Sequence, residues 1–342
     1  MKRTLCCLLT LALLLLSACR SAGETPTVGG GFAMGSYLSA RLYGADAGTV
    51  NAILADVTAL DGEISLTNEA SALSRLVAAG GGDADETLLS LLQRSLDLCR
   101  ETGGALDISL GAVTTLWGFQ TDAPALPDED ALQSALRRTG PEKIRIGNGS
   151  LTLQDGVIPE PGAVGKGAAL DLAAARMKKD GARGLVTFGG SVLLYGPKPD
   201  GGSWGVGVRD PKGGENDYFA KLSFSPQPDE AVFVSTSGSY EKTFTENGRT
   251  YHHILDPKTG YPVENGLVSV TAVSDDGFLS DALSTALFVM GWGDRALRLC
   301  EKYGTGAVFV FDDGRVALTP SLADAFTLTN TADYRLTDGG AA

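Results

Sequence analysis

The stretch from Val157 to Asp171, VIPEPGAVGKGAALD, constrains the chain most. It carries a short apolar segment through a glycine-rich turn with one lysine into an alanine- and leucine-rich run of helical character. Gly162, Gly165 and Gly167 let backbone N–H groups approach a ligand closely, and a helix start adds unpaired donors and partial positive charge where an anion sits. Lys166 supplies a full charge. The same pattern also serves merely to close a turn, and it departs from two nucleotide-binding templates. A Walker A loop needs an earlier glycine where Glu160 and Pro161 stand, and Ser or Thr where Gly167 follows Lys166; a dinucleotide fingerprint reads GxGxxG, and this stretch reads GAVGKG. Its partners elsewhere in the chain must decide.

At 342 residues with 43% apolar content, the chain can bury a large core as one large domain or two ordinary ones. Its start reads as a targeting device: Lys2 and Arg3 form a positive region, Leu5 to Leu16 an apolar one, and Leu16-Ser17-Ala18-Cys19 resembles a bacterial lipobox that lipidates Cys19. An ordinary secretory signal with an incidental cysteine is the alternative. Cys99 and Cys300 remain, both on leucine-rich helical patterns, and read as buried thiols. The net charge of −13 argues against nucleic acid as a partner. It leaves room for an anionic ligand, since screening acts over about 8 Å at physiological salt and local cations outweigh distant carboxylates.

Residues 1–18 are therefore expected as signal peptide, 19–31 as a small, polar, glycine-rich tether, 32–325 as the folded domain and 326–342 as a tail with a frayed end. Phe32 to Leu42 reads as a kinked edge strand interrupted at Met34-Gly35-Ser36. Helical spacing predicts helices over Val50 to Ile64, Asp85 to Thr102 and Asp128 to Thr139, then one after the central turn ending at Asp180-Gly181. Leu185 to Leu194 reads as a strand broken by Gly189-Gly190. Helices and strands alternate without βαβ cadence, so the class is α+β.

Several side chains are candidates for chemistry. Asp107 follows the helix break at Gly103-Gly104, on a loop where it accepts hydrogen bonds; a solvated turn aspartate has the same look. His252-His253 is the only histidine pair, and on a strand the two face opposite ways, so one at most faces a given site. On the helix Phe278 to Met290, Asp281, Ser284 and Thr285 share a face and offer oxygen only, which suits a hard cation such as Mg²⁺. An ordinary polar patch with hydroxyls bonded to helix carbonyls reads equally from these residues.

MGSY at Met34, GALD at Gly104, GAVGKGAALD at Gly162, FGGSVLLYG at Phe188, WGVGVRDP at Trp204, STSGSYEK at Ser235, HHILDPKTGYP at His252 and SDALSTALFVMG at Ser280 together resemble the ApbE family, the FAD:protein FMN transferases. The resemblance implies a T-fold-related single catalytic domain behind a lipoprotein signal. Such a domain takes FAD as substrate with Mg²⁺ and attaches FMN through a phosphoester to a Thr or Ser hydroxyl of an extracytoplasmic redox protein, releasing AMP. Carried over by position, Asp281, Thr285 and the backbone carbonyl of Ala163 are metal ligands. Met34, Ala105, Leu106, Asp107, Glu160, Lys166 and Leu255 align with FAD contacts, and His253 with the proton acceptor. Glu160 stands where an aspartate is usual, Ser191 where Asn or Asp is frequent, and Thr67 where some members carry a tyrosine near the flavin ring. Two further readings keep the same site: an FAD pyrophosphatase giving FMN and AMP, and a lipoprotein that only binds FAD. Mere binding needs no proton acceptor, which weighs against the last.

Overall fold

Leu38, Ala40 and Leu42 alternate along one strand and are fully buried, the two-residue period of a strand with one face on a core. The computed structural model, which describes residues 24–214 and 216–337, places this strand in a nine-stranded sheet. Its members are β1 Thr27–Ala33, β2 Ser36–Tyr43, β3 Arg183–Phe188, β4 Ser191–Tyr195, β5 Ala231–Gly238, β6 Leu267–Ser274, β7 Gly306–Phe311, β8 Arg315–Leu318 and β9 Arg335–Leu336. Spatial order follows chain order throughout. Neighbours are antiparallel except β8 and β9, so the sheet is a meander whose long insertions leave and return at adjacent positions. This is the α+β arrangement expected from the pattern.

The insertions carry the helices α1 Ala47–Ile64, α2 Ala72–Ala79, α3 Glu86–Glu101, α4 Gly111–Trp117, α5 Glu129–Leu136 and α6 Gly165–Asp180; α7 Gly277–Met290 and α8 Asp294–Tyr303 lie between β6 and β7. The helices α6 and α7 lie side by side over the middle strands, and α1 packs on α6. Between these helices and the sheet lie Phe188, Phe233, Phe278, Leu283, Leu287 and Phe288, all essentially inaccessible. Each such side chain contributes about 1.5–3 kcal/mol by leaving water. The opposite sheet face is covered by a small sheet of Trp204–Arg209, Tyr218–Phe224 and Phe326–Leu328. A third cluster gathers Trp117, Phe119, Phe244, Tyr251 and Tyr261, and Trp117 Nε1 donates to the Gly260 carbonyl at 2.7 Å. Among the described residues no helix is long and apolar enough to cross a membrane.

The structure corrects several readings of the sequence. The kinked strand at Phe32 is a hairpin of β1 and β2, because Met34 (φ 46°) and Gly35 (φ 67°) both take left-handed conformations that reverse the chain. Gly189 (φ 58°) likewise makes the Leu185 to Leu194 strand a hairpin of β3 and β4. The folded part starts at Thr27 rather than Phe32: Gly29 and Gly31 lie so close to Val50 and Leu54 of α1 that the glycine run is a packing device, not a linker. Within the expected tail, the described residues 326–337 are not frayed either, since Phe326–Leu328 and Arg335–Leu336 both pair with strands, while 338–342 lie outside the described residues. The signal peptide and the Cys19 anchor point lie outside the described residues.

Candidate active site

The central turn seats two helices on each other. Gly167 and Gly277 pack so tightly that a Cβ on Gly167 would stand 2.1 Å from the Gly277 carbonyl oxygen, and one on Gly277 would stand 2.5 Å from that of Gly167. At this contact the helices cap each other. Asp281 on α7 accepts from Gly167 N at 2.9 Å, at the start of α6, while Asp171 on α6 accepts from Gly277 N at 2.7 Å and Phe278 N at 2.9 Å, at the start of α7. Carboxylates at helix N-termini satisfy unpaired donors and meet the positive end of the dipole. Burial pushes Asp171 up to about 6, with neighbouring Asp276 adding to the rise and the two N–H groups opposing it.

Asp281 is 5% exposed, and burial raises its pKa despite Lys166 and the Gly167 N–H. Lys166 Nζ lies 3.9 Å from its Oδ1, an ion pair longer than a hydrogen bond. Beside it Ser284 Oγ donates to the Asp281 carbonyl at 2.7 Å, and Ser237 Oγ on β5 lies 2.8 Å from Ser284 Oγ and 3.0 Å from Thr285 Oγ1. Ser191 Oγ, on β4, is buried without a hydrogen bond of good geometry among the described residues, and its nearness to Asp281 helps to hold that carboxyl's pKa down. The first α-helical bond of α6 runs from Ala168 N to Val164 O, so the Ala163 carbonyl stands outside the helix ladder. A buried carboxylate, a neighbouring Thr285 hydroxyl and a carbonyl outside the helix ladder are an all-oxygen set that fits a hard cation.

Other segments converge on Lys166. A Cβ on Gly189 would touch its Cδ at 3.4 Å and Ser36 Oγ at 3.2 Å, so the turn of the second hairpin lies between the lysine stem and the start of β2. Met34, in the turn of the first hairpin, donates its N–H to Asp61 on α1 at 3.2 Å. Glu160 is tied to the preceding loop, its N–H donating to Ile108 O at 2.6 Å, and its Oε1 accepts from Gly162 N at 3.0 Å. Burial raises the Glu160 pKa, and the Gly162 N–H, Lys242 and Lys166 oppose the rise.

The two histidines differ sharply. His252 closes the strand Arg249–His252; its Nε2 lies 3.1 Å from the Val263 carbonyl and its Nδ1 accepts from Ile254 N at 3.3 Å, so both nitrogens are committed to backbone. His253, one residue past the strand, has Nδ1 3.1 Å from the Glu241 carbonyl. A carbonyl only accepts, so Nδ1 carries the proton and Nε2 presents a lone pair. Burial, with Lys242 close by, holds the ring neutral, its pKa pushed down to about 4.

The remaining predicted residues are placed differently. Asp107 accepts from Ser109 N (2.8 Å) and Ser109 Oγ (2.6 Å), on a loop with Ala105 braced by Leu106 N donating to Thr102 Oγ1 at 3.1 Å. Burial raises the Asp107 pKa against these bonds. Leu106 and Leu255 are 1% and 6% exposed, so both are core residues in this structure and offer a ligand almost no surface. Thr67 is exposed, with Oγ1 3.2 Å from Ser65 Oγ. Sequence reasoning missed Asp171, Ser237 and Lys242. The last two lie in STSGSYEK, but no spacing rule in that stretch points at them.

A family model described as the ApbE family matches residues 34–309. Among similar proteins, the FAD:protein FMN transferase of Treponema pallidum is 32% identical over 316 residues, covering 85% of this chain and 86% of that protein. The one from Klebsiella pneumoniae is 31% identical over 324 residues, covering 89% and 91%. The crystal structure of the ApbE protein from Thermotoga maritima superposes with a TM-score of 0.80 at 29% identity, over 88% of this chain and 99% of that one. The apo flavinyl transferase ApbE of Pseudomonas stutzeri gives 0.76 at 26% identity, over 90% and 98%.

Proposed function

The chain belongs to the ApbE family, and from that premise we propose that it is a Mg²⁺-dependent FAD:protein FMN transferase acting on an acceptor protein outside the cytoplasm. The observation that carries this reading is the pairing of Lys166 with the buried Asp281 at the start of α6, together with a neutral His253 ring whose Nδ1 is held by the Glu241 carbonyl.

Asp281, Thr285 and the Ala163 carbonyl would hold the ion, which when bound supplies charge neutralisation at the diphosphate. Lys166 places its ammonium against phosphate oxygens, which matters because phosphoryl transfer is governed by positioning and charge more than by covalent help. His253 Nε2 takes the proton of the acceptor Thr or Ser hydroxyl as its oxygen bonds to the FMN phosphorus. The bond from that phosphorus to the bridging oxygen breaks, and AMP leaves with that oxygen. The Glu241 carbonyl keeps the other ring proton in place, so the acceptor nitrogen stays aimed outward.

The apolar leader and lipobox support a lipid anchor at Cys19, with the residues between it and Thr27 as the link to the bacterial cell membrane. The test incubates the protein with FAD, Mg²⁺ and an FMN-binding-domain acceptor, following acceptor mass and free AMP. A Mg²⁺-dependent gain of one FMN with matching AMP is expected; AMP and free FMN without labelling would favour the pyrophosphatase, and intact bound FAD without AMP a binding protein. Asp281→Ala should lower transfer by about a hundredfold or more, and wild-type rates in that variant would remove it from the metal site.

A further inference from the structure

We propose that Lys242 is the second cation of the anion seat that Lys166 begins, its ammonium leaving Gln120 to bind a non-bridging oxygen of the substrate diphosphate. The inference rests on the flavin-transfer reading and adds to it a residue with no role so far.

Four observations converge on this lysine. The strand pair that carries His253 ends at Thr243 opposite His252, so Lys242 and His253 are the next residues out on the two strands, and the Glu241 carbonyl beside Lys242 holds His253 Nδ1. Lys242 is thus on the side where the acceptor hydroxyl is deprotonated. Second, its backbone sits at φ 40°, a left-handed conformation costly for a side chain of this kind and characteristic of positions kept for function.

Third, its resting partner is neutral. Nζ donates to the Gln120 amide oxygen at 2.7 Å, while the adjoining Glu241 is turned to Arg209. A chain with 41 acidic residues against 28 basic ones has carboxylates to spare, yet this ammonium is given an amide. Fourth, the charges of Lys166 and Lys242 both oppose the rise of the Glu160 pKa. Although the Lys242 side chain is exposed, desolvation of its ammonium, with Lys166 adding to it and Glu160 and Glu241 opposing it, lowers its pKa. An ammonium whose bonded partner is a neutral amide has charge to offer, and a diphosphate oxygen is the stronger acceptor for it.

The test measures binding without turnover, with EDTA present, for FAD, ADP and riboflavin on wild type, Lys242→Met and Lys242→Arg. Lys242→Met is expected to weaken FAD and ADP about tenfold, leave riboflavin unchanged and make FAD affinity less dependent on salt; Lys242→Arg is expected to restore most of the loss. Lys242→Gly adopts φ 40° without strain, so it should melt no lower than wild type while losing the same FAD affinity. FAD affinity in Lys242→Met and Lys242→Gly within about twofold of wild type overturns the proposal, as does an equal loss for riboflavin. If wild type itself fails to bind FAD, the flavin reading falls; if only the variants bind undiminished, this inference alone falls.

Discussion

At the scale of single residues, the histidine pair separates what a sequence can show from what only a fold can. Adjacent histidines at the end of a strand cannot both face a site, and that much is legible in HH alone. Which one is free depends on carbonyls distant in sequence: Val263 engages His252 and Glu241 engages His253. The neutral state of His253 carries a stability signature. Its pKa falls from an ordinary 6.5 to about 4 in the folded chain, so below pH 6.5 the unfolded chain takes up a proton that the folded one refuses, and stability is lost as pH drops toward 4. Relative to wild type, His253→Gln should therefore gain stability across that window, by up to about 3 kcal/mol, read from urea unfolding at stepped pH in EDTA. A difference that stays constant with pH would mean that the ring is not held neutral by its surroundings. Lys242 shows the converse limit: a lysine in a polar strand end carries no mark in the sequence, and only the pairing of Thr243 with His252 brings it to the site.

At the scale of elements, the mutual capping of α6 and α7 explains why the glycine-rich turn could be recognised and yet misjudged. Gly165, Lys166 and Gly167 do open a helix, as read from the sequence. The helix start is not left open for an anion, however, because Asp281 occupies the Gly167 N–H from another helix 114 residues away. Asp171 reads in sequence as one more polar residue of a helix, since its partners Gly277 and Phe278 are equally remote. Asp171→Ala should cost about 1–2 kcal/mol, the usual value of a helix cap, seen as a lowered melting temperature with FAD affinity retained. Gly167→Ala should be worse for function: its methyl would meet backbone oxygen at 2.1 Å and Asp281 Cβ at 2.6 Å, and neither can step aside. Separating the helices moves Asp281 from Lys166, so Mg²⁺-dependent transfer should fall by more than the stability does. Equal activity in a folded Gly167→Ala protein would show that the close helix contact is not needed to position the carboxylate.

At the scale of the whole molecule, the meander makes both ends of the described fold, near Thr27 and Leu336, part of its sheets. In the sequence the ends of the fold fall at 32 and 325, because glycines beside a polar run look like a tether and short polar segments look like a tail. In the fold, the same glycines let β1 lie directly on Val50 and Leu54, and the chain end supplies an edge strand to each of two sheets. Tyr334 is the anchor there: it is 3% exposed, its ring stacks on Phe219 with centroids 4.2 Å apart, and its hydroxyl donates to Asp210. A chain ending at Ala325 loses this ring together with the Phe326–Leu328 strand, and should be destabilised by about 3–5 kcal/mol, the range for deleting a buried aromatic side chain. The covered face is the one opposite α6 and α7, so the loss should be one of stability and not of site geometry. Below its own melting temperature the shortened protein should still bind FAD with wild-type affinity. Saturating FAD should then raise its melting point, because a ligand that binds only the folded state stabilises it by mass action. An unchanged urea midpoint would return the last residues to the status of a tail, whereas lost FAD affinity in a folded truncation would mean that the small sheet supports the site through the central one.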